Sequence, residues 1–184
     1  MSEPTVITLG CRLNSFESQV IRQLGVTAGL ENTVIVNTCA VTAEAERQAR
    51  QAIRRARRDN PNAHLIVTGC AAQVDPDSFA GMPEVDQVLG NREKLEEKSY
   101  LGGDSRDQVE VANIMTVRKT APHLINSFGG RARAFVQVQQ GCDHRCTFCI
   151  IPFARGNNRS VELSRLDLQI RKLVEAGCRE VVLT

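Results

Sequence analysis

Aromatic residues are scarce in this 184-residue chain: they make up 4% of it, with one tyrosine and no tryptophan. So few rings leave few platforms on which nucleic acid bases could stack, which counts against a module built only to grip RNA. Long apolar runs are missing too. No stretch approaches membrane-spanning length and no N-terminal run resembles a signal peptide, so the expectation is a cytoplasmic protein with no membrane partner. Net charge is small, +2, but it is unevenly placed. Residues 1–60 carry eight basic and six acidic side chains, 61–130 six and ten, and 131–184 nine and five. Arg131, Arg133, Arg145, Arg155 and Arg159 fall close to a group of cysteines in the basic last third. A solvated charged face and a rim that steers a polyanion both fit that placement.

What is present is hydrophobic content of 42%, enough for a packed core, and seven cysteines. The length suits one large domain, or one domain plus part of another. Disulfides are rare in a reducing compartment, and an odd count argues against complete pairing. Metal binding then becomes the leading use for the thiols.

Three short apolar runs end in cysteine: 6–11 (VITLGC), 34–39 (VIVNTC) and 65–70 (LIVTGC). Helix-favouring segments follow the first two, roughly 15–24 and 43–58, the second opened by Thr42 and stopped at Asn60-Pro61. A weaker apolar run at 86–90 precedes polar, helix-favouring residues 92–98. Buried strands alternating with helices predict parallel βα units in an open, doubly wound α/β sheet. Cys11, Cys39 and Cys70 then sit at equivalent strand ends, at the carboxyl edge where open α/β sheets bind ligands. Any one of them alone reads as a buried structural thiol; three in register point to a shared ligand.

Residues 102–130 read as a connection, with Gly102-Gly103, Pro122 and Gly129-Gly130 and a strand near 109–115. Residues 134–138 alternate as a strand, 162–176 suit a helix ended by Gly177, and 180–184 begin another buried strand. Between them G-C-D-H-R-C-T-F-C (141–149) places Cys142, Cys146 and Cys149 in C-x3-C-x2-C spacing. Structural zinc and ferredoxin clusters take four ligands. A structural zinc knuckle is the plain alternative, but no fourth ligand stands at tetrahedral-site spacing, and His144 lies inside the loop. Three thiolates on a 4Fe–4S cluster leave one iron open to a small molecule bearing an amine and a carboxylate.

That spacing, with Phe148 before the third cysteine, resembles the radical S-adenosylmethionine family. Read with T-L-G-C-R-L-N-S-F-E-S (8–18), V-N-T-C-A-V-T (36–42), V-T-G-C-A-A-Q (67–73), V-L-G-N (88–91) and the run 141–156, the chain is similar to the methylthiotransferase subgroup. The versions around the first two cysteines look most like the enzymes acting on N6-threonylcarbamoyladenosine at position 37 of tRNA, beside the anticodon. The resemblance implies a methylthio group added to C2 of that nucleoside, with two 4Fe–4S clusters and S-adenosylmethionine as cofactors. Cys142, Cys146 and Cys149 would hold one cluster and Cys11, Cys39 and Cys70 the other, whose open iron would carry the sulfur. Phe148 would lie against the adenine of the cofactor. Gln140 stands where glutamate is usual and Asp143 where asparagine is usual, which bears on substrate tuning. The substrate of relatives acting on isopentenyl-type adenosine in tRNA, or on a ribosomal-protein aspartate, remains an alternative. An iron–sulfur electron carrier or scaffold is the non-enzyme alternative, though a carrier predicts four cysteines per cluster. The sulfur donor and the reductant are left unnamed.

The expected organisation is an α/β methylthiotransferase domain over 1–103, a linker over 104–130, and the first strands and helix of a truncated radical S-adenosylmethionine barrel over 131–184. The chain therefore reads as an N-terminal fragment, with little turnover expected by itself. Cys178, after Gly177, reads as a buried structural thiol.

Overall fold

The computed structural model describes residues 3–101, 107–120, 124–125, 128 and 132–184. Five parallel strands form the main sheet in sequential order: β1 (Thr5–Thr8), β2 (Thr33–Thr38), β3 (His64–Gly69), β4 (Gln87–Leu89) and β5 (Val109–Glu110). The short β5 lies within the stretch read as a connection. Helix α1 (Arg12–Thr27) joins β1 to β2 and α2 (Ala43–Asp59) joins β2 to β3. The apolar run of β2 is buried at every position, because helices cover both faces of the sheet. Val34 and Val36 pack with Leu65 and Val67 of β3 and with Ile53 and Ala56 of α2. Ile35 faces the other way and packs with Ile66, Leu89, Tyr100 and Ile21 of α1.

Strand order and helix placement together carry a point about chirality. Both crossovers step in the same direction across the sheet, yet α1 covers one face and α2 the other. They therefore have opposite hands, and one of them departs from the right-handed rule for parallel connections. The α2 boundaries follow the sequence signals: the Thr42 hydroxyl accepts from the Ala45 N–H, and Asn60 ends the helix. Cys70 enters a short helix at once, α3 (Cys70–Val74), and α4 (Pro76–Ala80) follows, with the Asp75 side chain capping it from the Ser78 N–H. Residues 92–98 form two 3-10 turns, Glu93–Leu95 and Glu97–Tyr100, in place of the expected helix. Their backbone turns inward there, burying Lys94 and Tyr100 instead of presenting a polar face.

In the last third β6 (Arg133–Val136) pairs in parallel with β9 (Glu180–Leu183), across α6 (Leu163–Glu175). Strand β7 (Gln139–Gln140) pairs antiparallel with β8 (Arg159–Ser160), and α5 (Ile151–Arg155) lies between them in sequence. This part is not detached from the sheet. Ala134, Val136 and Leu173 share a core with Leu13, Phe16 and Val20 of α1. Cys178 is only partly buried, against the expectation of a buried thiol, because the turn after α6 leaves it at the margin of that core. No helix among the described residues is long and apolar enough to cross a membrane.

Candidate functional site

Three neighbouring strands deliver the first cysteine set. Cys11 stands at the N-cap of α1 and makes no side-chain hydrogen bond to it, Cys39 follows β2, and Cys70 is the first residue of α3. Thr8 is in register with Asn37, and Thr38 with Gly69, so the chain leaves the sheet at one edge in all three places. Two glycines allow the close approach. A Cβ on Gly10 (φ +92°) would stand 2.5 Å from the Cβ of Cys39 and 2.7 Å from its Sγ. A Cβ on Gly69 would stand 2.3 Å from the Thr38 carbonyl oxygen and 2.4 Å from its nitrogen. The residue before Cys11 thus lies on Cys39, and the residue before Cys70 lies on the residue before Cys39. Cys39 and Cys70 are buried, while Cys11 is exposed.

The second set lies in the loop between β7 and α5. The Cys142 N–H donates to the Gly156 carbonyl at 3.0 Å, and the Cys149 N–H to the Cys146 carbonyl at 3.0 Å. Arg145 donates to the Cys142 carbonyl and to Asn157 Oδ1, at 2.9 and 2.7 Å, and Asp143 Oδ1 accepts from the Asn158 N–H. The loop is thereby closed on itself without using a thiol. Phe148 is 91% exposed, and His144 is exposed too. All seven cysteines are free. Among the described residues, no group of three histidine, cysteine, aspartate or glutamate side chains is arranged to hold a metal ion.

Behind the first set lies a buried charge network that the sequence did not reveal. Glu17 of α1 is fully buried and meets two basic side chains: Arg155 Nη1 on Oε1 at 2.7 Å, and Lys94 Nζ on Oε2 at 2.7 Å. Arg155 also donates to Asn14 Oδ1 at 2.5 Å and Gln140 Oε1 at 3.3 Å. Asn14 in turn donates to the carbonyls of Leu9 and Thr38, tying the network to the ends of β1 and β2. Burial alone would raise the Glu17 pKa, but Arg155 and then Lys94 hold it down to about 2. Burial opposes the charge on Arg155, yet Glu17, and beyond it Cys70 and Cys11, raise its pKa above the ordinary value. For Lys94 burial prevails over Glu17 and lowers the pKa. Two basic groups share one carboxylate beside the thiols, with neutral Gln140 as a further acceptor. That surplus of positive character suits thiolates or an anionic iron–sulfur group, so the donor type and the charge behind it both fit such a group.

Two of the arginines assigned to a basic rim are therefore misplaced. Arg155 and Arg159 are buried: Arg155 reaches into the N-terminal sheet, and Arg159 donates to the carbonyls of Arg155, Val117 and Asn157. Arg133 and Arg145 are exposed, and Arg131 lies outside the described residues.

The depressed Glu17 pKa sets a pH signature. Its contribution to stability is present above its ordinary value of 4.5 and is lost as pH falls toward about 2. The urea midpoint of the chain should fall across that window, and fall less steeply in Glu17→Gln. Identical acid profiles for the two proteins would assign the loss to other carboxylates.

Residues 4–90 match the uncharacterized protein family UPF0004. That segment is just under half of the chain. The cysteine edge, α1 and the Glu17 carboxylate all lie within this UPF0004 segment. The whole chain is similar to larger proteins. It is 51% identical to the threonylcarbamoyladenosine tRNA methylthiotransferase of Rickettsia prowazekii over 97% of this chain and 42% of the relative. Against the enzyme of that name from Aquifex aeolicus identity is 39%, over 96% and 46%. Against the ribosomal protein uS12 methylthiotransferase of Sorangium cellulosum it is 30%, over 95% and 38%. The chain thus spans less than half the length of the curated relatives it matches.

Proposed function

We propose that the chain serves methylthio transfer to tRNA, adding the group to C2 of N6-threonylcarbamoyladenosine at position 37 by radical S-adenosylmethionine chemistry. The observation that carries this reading is the convergence of Cys11, Cys39 and Cys70 on one sheet edge, inside the segment that matches UPF0004. The 51% identity to a threonylcarbamoyladenosine tRNA methylthiotransferase, against 30% to a ribosomal-protein one, favours the tRNA substrate.

In this reading Cys11, Cys39 and Cys70 hold one 4Fe–4S cluster, and Cys142, Cys146 and Cys149 the other. Bound there, the two groups would supply an electron to S-adenosylmethionine and a place for the transferred sulfur. The chain's own residues prepare both places. Asn14 holds the ends of β1 and β2 at one level. Arg155 and Lys94 offset negative charge on the thiolates from within a buried setting, where a charge is felt most strongly. Arg145 holds the Cys142 and His144 carbonyls, and the exposed ring of Phe148 is the face to which the adenine of the cofactor is assigned. Residues 131–184 are read as the opening of a βα barrel, supported by the parallel pairing of β6 and β9 across α6.

Anaerobic reconstitution followed by iron and sulfide counting tests the ligand assignment. Cys11→Ala and Cys142→Ala should each remove about four irons, one cluster's worth. Unchanged iron in both variants, or zinc in place of iron, would overturn it. Analysis of tRNA nucleosides from cells that depend on this protein should show the C2-methylthio derivative disappearing with Cys11→Ala.

A further inference from the structure

The side-chain amide of Asn91, just after β4, ties the first cysteine set to the last third of the chain. Its Nδ2 donates to the Ala154 carbonyl of α5 at 2.6 Å and to Cys70 Sγ at 3.8 Å, a length suited to sulfur. Helix α5 begins two residues after Cys149. One amide thus touches a thiol of the first set and is anchored by the helix that follows the second. Asn91 is 5% exposed and Cys70 3%, and in so shielded a place a donor acts on its acceptor more strongly than in water.

Neighbouring residues hold the amide there. The Asn91 backbone N–H donates to Gln73 Oε1 at 2.8 Å, and Gln73 Nε2 donates to the Ala112 carbonyl at 3.1 Å. Gln73 stands in α3, three residues after Cys70, so thiol and amide are fixed by the same short helix. Gly90 makes the room: a Cβ there would stand 2.9 Å from Gln73 Oε1 and closer still to Glu93 Oε2. The direction of the amide is fixed as well. Turned over, it would set Oδ1 against the Ala154 carbonyl oxygen, two acceptors with no proton between them. As it stands, Oδ1 is buried without a partner. Buried acceptors are seldom left so; here the fold forgoes one acceptor and keeps the donor on sulfur.

We propose that Asn91 is a positioning residue that raises the reduction potential of the iron–sulfur group at Cys11, Cys39 and Cys70, through its hydrogen bond to Cys70 Sγ. The inference rests on the assignment of a cluster to those three thiols. One electron entering such a group increases the negative charge on its sulfurs, so an N–H aimed at a ligand sulfur stabilises the reduced form more than the oxidised one. Arg155 and Lys94 act in the same direction through their charge, whereas Asn91 acts by contact and is neutral.

The Cys142→Ala chain, reconstituted anaerobically with iron and sulfide, keeps the first site alone. Dithionite titration followed by electron paramagnetic resonance gives the potential of its cluster, in this parent and with Asn91→Leu or Asn91→Ser added. Circular dichroism and an iron count of about four per chain show that fold and cluster are kept. At a fixed solution potential each variant should show a reduced-to-oxidised ratio at least about fivefold lower, a fall of about 40 mV for a one-electron couple. Asparagine labelled with nitrogen-15 should add a nitrogen coupling to the pulsed spectrum of the reduced parent, and the coupling should vanish on substitution. A purely structural role would lower Tm and move neither reading. An unshifted potential in a variant that keeps its iron, or no asparagine coupling in the parent, overturns the inference while the cluster assignment stands. If neither variant keeps its iron, the coupling in the parent decides. A parent that binds no iron overturns the cluster assignment, and the inference falls with it.

Discussion

Glu17→Gln should destabilise the chain by about 3–5 kcal/mol, the usual cost of leaving buried charge without its partner. The wild-type carboxylate is shared by Arg155 and Lys94, and all three groups are almost completely shielded from water. Glutamine keeps the shape and can still accept a hydrogen bond, but two basic groups are then left with no negative charge. Removing a cation is different. Arg155→Met leaves Glu17 paired with Lys94, and Lys94→Met leaves it paired with Arg155, so each should cost only about 1–3 kcal/mol. Urea unfolding of the three variants gives the ranking directly. A Glu17→Gln protein within about 1 kcal/mol of wild type would refute the account.

The same variant should acquire a new pH dependence. Burial already lowers the Lys94 pKa, and without Glu17 only the weaker pull of Cys70 opposes it. The unfolded chain then binds more protons than the folded one, so stability rises with pH until Lys94 has lost its proton in both states. Negative charge placed at the cysteine edge should partly relieve the defect, so cluster-loaded Glu17→Gln protein should lose less stability than the protein without iron.

The second large effect is expected at Gly69. Its backbone, φ +100° and ψ −168°, lies in a region essentially reserved for glycine. Alanine there also drives its Cβ into the Thr38 backbone, which belongs to a central strand and cannot give way. The expected cost is about 3 kcal/mol, or a fall in Tm of about 6–12 °C for a chain of this size. Gly29→Ala supplies the comparison, since its φ is also positive (+69°) but its Cβ would meet nothing within 4 Å. It should lose only about 1–2 kcal/mol. Thiol labelling gives an independent readout: Cys39 and Cys70 are buried in the wild type and should react faster in Gly69→Ala. Matching Tm values and labelling rates for the two variants would remove the steric argument.

These two sites differ in how far the sequence announced them. The Gly69-Cys70 pair ends a run of apolar residues, and the same pattern at Gly10-Cys11 and Thr38-Cys39 made the strand ends, their register and the common edge readable. Local chemistry was enough, because strands, turns and cysteine spacing are all short-range signals. Glu17, Lys94 and Arg155 gave no such signal. Each looks like an ordinary surface charge in its own segment, and Arg155 in particular fitted a basic rim. The pairing that buries them joins residues 77 and 138 positions apart. One clue was available: residues 92–98 favour a helix by composition, yet Tyr100 and Leu95 need cover, and two 3-10 turns are what bring them and Lys94 inside.

The 138-residue gap between Glu17 and Arg155 also has a meaning in time. At roughly 5–20 residues per second, a ribosome needs roughly 7–28 s to travel from one to the other. Once Cys70 has been added, the chain contains Cys11, Cys39 and Cys70 together, while Glu17 has at most Lys94 to balance it until Arg155 is made. Helix α5, which brings Arg155 and packs against α3, is made after all three of these cysteines. Synthesis therefore gives the edge an open period before it is covered, and the order of the chain sets how long that period lasts.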